Sequence, residues 1–141
     1  MADLTETYRA TVTIQGQEYN IDHSRTIASL TQPVDQILTI PTSEVTVFTK
    51  GAAVAGAQLT DFEFLFLKNL DPTNNINLTI RQTGSADVVY FPLEPGAIFI
   101  LSNPTFEAYG DGTAQTTFVN IETIKAKAAA GTPQLRIVAF D

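Results

Sequence analysis

Apolar and polar residues alternate with period two from Tyr8 to Ile14. Tyr8, Ala10, Val12 and Ile14 share one side, with Arg9, Thr11 and Thr13 opposite. Successive side chains of an extended chain point to opposite faces, so this pattern suits a strand with one covered face. Gln15-Gly16 reads as a tight turn. Tyr19, Ile21, His23, Arg25 and Ile27 then alternate against Asn20, Asp22 and Ser24, which makes the two runs a hairpin. The same grammar continues down the chain. Ile37 to Ile40, Glu44 to Thr49, Phe62 to Leu67, Ile76 to Arg81, Val88 to Phe91, Ala97 to Leu101, Phe106 to Tyr109, Thr116 to Ile121 and Gln134 to Phe140 are strand-like.

The punctuation between these runs is equally consistent. Thr31-Gln32-Pro33, Asn69 to Asn75, Gly84-Ser85, Glu94-Pro95-Gly96, Ser102-Asn103-Pro104 and Gly110 to Thr113 carry turn residues. Asn and Asp bond their own backbone, Pro presets φ, and Gly accepts the positive φ that a type II turn needs at its third position. Gly51 to Gly56 is small and reads as a loop. Glu122 to Ala129 has a composition that suits either a short helix or a strand, and is read as a strand with a fraying Ala-rich end. Roughly nine to eleven short strands at such spacing imply an all-β, antiparallel β-sandwich, jelly-roll-like. No strand–helix–strand rhythm appears, which disfavours a parallel α/β fold. Residues 8–141 are expected to form a single sandwich domain.

Charge and composition then narrow the function. The chain carries a net charge of −7, and its eight Lys and Arg residues are scattered singly. Binding to nucleic-acid phosphates needs a concentrated basic footprint, so no nucleic-acid partner is expected. There is no Cys, which removes disulfides and thiolate chemistry. The first eight residues lack the basic and apolar regions of a secretory leader, and no apolar run approaches a membrane span, so no membrane partner is expected.

Chemistry-bearing patterns are sparse. His23 is the single histidine, too few for a zinc site within one chain. Ser24 is its neighbour, but adjacent strand residues point apart, so the pair cannot act as nucleophile and base. Asp61 with Glu63, and Glu94 with Glu107, are carboxylate pairs to inspect for glycoside chemistry. The Gly110-Asp111-Gly112 turn offers a single carboxylate, weak grounds for calcium. No catalytic residue, metal ligand or cofactor is therefore expected, and the chain reads as a non-enzyme. Trp is absent, but Tyr90 and Tyr109 are candidates for stacking against a glycan. Phe62, Phe64, Leu65, Phe66 and Leu67 form the most strand-like run. From Phe64 on it is apolar on both faces, which makes these five residues candidates for subunit contact as well as for the core.

Three stretches carry a resemblance: Phe64 to Asp71, Ile76-Asn77-Leu78-Thr79-Ile80, and Phe91-Pro92-Leu93-Glu94-Pro95-Gly96 running on to Leu101. Their layout is a strand, Lys-Asn, a turn, a strand, then Leu-x-Pro-Gly and a strand. With a closing segment like Leu135 to Phe140, it resembles small β-sandwich virion proteins of tailed bacteriophages over roughly residues 60 to 141. The resemblance implies a structural part built in many copies, with residues 1–7 as a flexible N-terminal arm. It would be a capsid decoration (cement) protein that stabilises the head or, alternatively, a tail, neck or fibre component or a receptor-binding module. Its partners would be copies of itself, with a trimer favoured over a dimer, and the major capsid protein or other virion proteins. It would be made in the host cytoplasm and reside in the virion.

Overall fold

A computed structural model describes residues 2–30, 34–51, 62–84, 86, 88–102, 105–106 and 119–140. Among them the regular structure is all strand: β1 (Ala2–Ile14), β2 (Gln17–Leu30), β3 (Val34–Thr39), β4 (Val45–Thr49), β5 (Phe64–Asn69), β6 (Ile76–Gln82), β7 (Val88–Leu93), β8 (Ile98–Leu101), β9 (Thr105–Phe106), β10 (Val119–Ala128) and β11 (Gln134–Phe140). Every pairing is antiparallel. The Glu122–Ala129 segment is strand nearly to its end, because Ile124, Ala126 and Ala128 alternate into a buried face.

The chain divides into two compact units, Met1–Thr31 and Gln32–Asp141. The boundary expected between residues 7 and 8 therefore falls inside β1, and the residues expected to be a flexible arm begin a strand. The first unit is the hairpin β1–β2, with Gln15 and Gly16 as the two loop residues. Both have positive φ (52° and 81°), the signature of a type I′ turn, whose twist matches that of the strands it joins.

The second unit is a two-sheet sandwich. One sheet runs β4-β10-β6-β7, with β9 pairing β10, and the other runs β3-β11-β5-β8. Set β9 aside and number the remaining eight strands in chain order. The sheets then read 2-7-4-5 and 1-8-3-6, which is the strand order of a jelly roll.

Period two places the core between the sheets. In the first sheet the register sets Ile76, Leu78 and Ile80 of β6 opposite Ala128, Ala126 and Ile124 of β10. All six are buried. In the second, Leu135, Ile137 and Ala139 of β11 stand opposite Asn69, Leu67 and Leu65 of β5. An irregularity in the β10–β4 register skips Val47, so Val47 and the adjacent Phe48 are both buried. Turns close the frame as their residues require. Pro95 and Gly96 (φ 73°) occupy the centre of a turn closed by the Ala97 N–H donating to the Glu94 carbonyl at 3.0 Å.

Candidate interaction surfaces

Strand β5 is central in its sheet, between β11 and β8, and it is apolar on both sides. Leu65 and Leu67 point into the sandwich and are buried. Phe62, just before the strand, is buried edge-on against Phe48, with ring centroids 5.1 Å apart and planes at 77°. These three are core residues, which corrects their placement among candidate subunit contacts. An extended strand must send alternate side chains to opposite faces, and only Phe64 and Phe66 go to the outer one.

The register defines what surrounds them. Asp35, Val138, Phe66 and Ile100 form one row across the outer face, and Ile37, Arg136, Lys68 and Ile98 form the next. Phe140 stands opposite Phe64, with ring centroids 6.2 Å apart. Phe64 is buried, Phe66, Ile100, Val138 and Phe140 are half-buried, and the edge residues Ile37 and Ile98 are 55% and 50% exposed. The patch is bordered by Arg136, whose guanidinium donates to both Asp35 oxygens at 3.0 and 2.8 Å. That pairing holds the Asp35 carboxyl below its ordinary value. A sandwich strand normally shows a polar outer face to water. Here aromatic and aliphatic side chains occupy the end of the face around Phe64 and Phe66, while Arg136 and Lys68 stand in the middle of the Ile37–Ile98 row.

The outer face of the other sheet is different in kind. Thr123, Lys125 and Lys127 of β10 alternate outward beside Arg81, Thr79 and Asn77 of β6, and next to these lie Val88, Tyr90 and Pro92 of β7. Lys125 pairs with Glu44 at 2.6 Å and Arg81 with Glu122 at 3.0 Å. Tyr90 is 73% exposed and borders a shallow depression of about 480 Å³ with Glu44, Asn77, Thr79, Pro92 and Lys127. This combines a flat aromatic ring with hydrogen-bonding neighbours. Tyr109, the other stacking candidate, lies outside the described residues.

A third feature is a small apolar groove of about 140 Å³ where β7 and β8 edge the sandwich. It is lined by Ile80, Val89, Phe91, Phe99, Leu101 and Ile121. Phe91 and Phe99 meet across it with centroids 4.8 Å apart. Its lining offers no polar group to orient a ligand.

Among the described residues the ionisable candidates stand apart from one another. His23 stands exposed on the hairpin, opposite Tyr8, with ring centroids 6.2 Å apart. Glu63 and Glu94 are exposed, while Asp61, Glu107 and the Gly110-Asp111-Gly112 turn lie outside the described residues. Among the described residues no three His, Cys, Asp or Glu side chains gather as metal ligands. Asp71 is held below its ordinary value by the backbone N–H groups of Thr73 and Asn74, which makes it the keystone of a turn. One buried polar residue escaped the sequence reading. Asn69 is fully buried, and its Nδ2 reaches the carbonyls of Asn74 (2.8 Å), Leu93 (3.0 Å) and Glu94 (3.2 Å). Its place at an inward position of β5 was the available signal.

Comparison of the chain with protein-family models, with curated proteins and with solved structures finds no match. What the fold and surface define is a class: a jelly-roll sandwich with one partly apolar and one polar outer sheet face, preceded in sequence by a long hairpin.

Proposed function

We propose that this chain is a structural virion protein that acts by protein–protein contact, in the form of a decoration protein that stabilises the head of a tailed bacteriophage. The observation that carries the reading is the apolar part of the β3-β11-β5-β8 outer face, where half-buried Phe66, Val138 and Ile100 lie beside exposed Ile98. Exposed apolar surface of this kind has little use on a free monomer and is stabilised when a partner covers it. Its partners are copies of the chain, in a trimer, and the major capsid protein. Stable contacts bury about 1,200–2,000 Å² in total. Repetition over a symmetric shell multiplies contacts that are individually weaker. The jelly roll is compatible with this role but also hosts unrelated ones, so the surface rather than the fold supports the reading.

The test is cosedimentation of purified protein with expanded and unexpanded heads of the encoding phage. Saturable binding to expanded heads and a raised temperature of head disruption are expected. Absence of binding to either form overturns the decoration reading.

A second reading rests on Tyr90. An exposed ring between Thr79 and Pro92, with Lys127 and Glu44 within the same depression, suits stacking of a sugar ring as in a receptor-binding module. Glycan binding that Tyr90→Ala abolishes would support it, and retention of binding in that variant would overturn it.

A further inference from the structure

The register across β10, β6 and β7 sorts the cations of the polar outer face into paired and free ones. Three rows cross these strands: Lys127, Asn77 and Pro92; then Lys125, Thr79 and Tyr90; then Thr123, Arg81 and Val88. Arg81 is held by Glu122 and Lys125 by Glu44. Lys127 is exposed, and among the described residues it has neither an ion-pair nor a hydrogen-bond partner. The side chains of Asn77 and Thr79 are likewise without a partner among the described residues. Two depressions meet at Tyr90, and Glu44 and Thr79 also line both. The smaller, of about 290 Å³, holds Arg81 and Lys125, whose charges are already answered. The larger, of about 480 Å³, holds Lys127. The unmatched positive charge therefore lies on one side of the Tyr90 ring only.

We infer that the depression between Tyr90 and Lys127 takes a sugar that bears a negatively charged group, with its ring over Tyr90 and its charge at the Lys127 ammonium. The inference rests on the glycan reading of Tyr90 and adds the class of sugar. A sugar ring presents apolar C–H faces, and the exposed phenol ring offers a flat apolar surface to one of them. Its rim is made of hydroxyl groups, to which Asn77 and Thr79 can both donate and accept. The backbones of Tyr90 and Lys127 stand about 12 Å apart, two strand spacings across and one step along. A pyranose ring with its charged substituent, met by an extended lysine, spans that gap. The Glu44–Lys125 pair is neutral as a unit, so it leaves the Lys127 charge uncancelled. The charged group is a carboxylate or a sulfate, since a lysine ammonium meets either as a point charge. On a chain of net charge −7 the overall field repels anions, so a preference for acidic sugars has to arise locally.

Titration of the full-length protein with matched acidic and neutral oligosaccharides, followed by calorimetry, tests it. Sialyllactose and sulfated lactose are set against lactose, and trigalacturonate against galactotriose. At least one acidic sugar is expected to bind about tenfold more tightly than its neutral parent, and added salt should erase the difference. Which acidic sugar gains tells a carboxylate from a sulfate. Lys127→Gln should bring the acidic sugar down to its neutral parent, and Tyr90→Ala should abolish binding of both. Arg9→Gln removes one positive charge from the exposed Arg9–Asp22 pair on the hairpin and should change neither. Equal binding of acidic and neutral sugars, lost in Tyr90→Ala, would overturn the charge preference while the glycan reading stands. Binding weakened alike by Arg9→Gln and Lys127→Gln would also overturn it, because net charge and not this site would then be at work. Absence of binding by every sugar would overturn both.

Discussion

Asn69 locks the turn that Asp71 builds. The Asn69 Oδ1 accepts the Asp71 N–H at 3.0 Å, and Asp71 Oδ1 in turn accepts the N–H groups of Thr73 at 2.8 Å and Asn74 at 2.7 Å. The Asn69 amide nitrogen meanwhile ties this β5–β6 turn to the end of β7 through the Leu93 carbonyl. Two consecutive strand connections are thereby fastened from inside the sandwich. Asn69→Leu removes the donor and leaves buried carbonyls unpaired, and it is expected to cost about 2–4 kcal/mol. Chemical denaturation would register this as a lower midpoint at unchanged slope.

Acid should loosen the sandwich through two carboxylates. Asp71 is lowered by backbone hydrogen bonds, and Asp35 by its hydrogen bonds to Arg136. A carboxyl whose folded pKa is depressed adds stability above its unfolded pKa, and that stability disappears as pH falls through the folded one. Melting temperature is expected to hold near neutrality and to fall once the pH drops below about 4. Asp71→Asn and Asp35→Asn should each flatten that fall, and thermal melts across the acid range would show it.

The hairpin turn carries a residue poorly matched to its backbone. Gln15 has φ 52°, a region where Asn is favoured and β-branched residues are severely strained. Gln15→Asn is expected to slow amide hydrogen exchange in β1 and β2, and Gln15→Val to speed it, with the sandwich amides unchanged in both.

On the sandwich, Ile98→Lys places a charge on the apolar outer face at a half-exposed edge. The fold should tolerate it within about 0.5 kcal/mol. Attachment to a partner should weaken at least tenfold, since the charge must be desolvated there. Equilibrium unfolding together with a binding titration separates the two effects.

Local features of this fold were legible because local chemistry determines them. The Gln15-Gly16 hairpin, the Pro95-Gly96 turn and the Asn69–Asn75 turn each sit where their residue types require. The strand character of Ile121 to Ala128 followed from alternation once helix propensity was set aside. Strand order was not legible. β10 pairs with both β4 and β6, across long stretches of chain, and nothing in its own residues names those neighbours. The boundary between residues 7 and 8 came from the resemblance rather than from the residues, and Leu4 continues the same period as Tyr8 within β1. The Phe62 to Leu67 run was correctly seen as two-faced, but only pairing with β11 and β8 decides that Phe64 and Phe66 turn outward while Leu65 and Leu67 turn in. Asn69 read as turn chemistry although its spacing from Leu65 and Leu67 marks it as inward, and the β7 carbonyl that satisfies it there is set by tertiary pairing.

Under the proposed function the outer face around Phe66 and Ile98 joins this chain to other proteins, beginning with its own copies. Sedimentation equilibrium of the purified protein, wild type beside Ile98→Lys, tests it most directly. A discrete oligomer for the wild type that loses mass in Ile98→Lys is the expected result. A wild-type monomer at every concentration, or an oligomer indifferent to the charge at Ile98, would rule out this face as the contact.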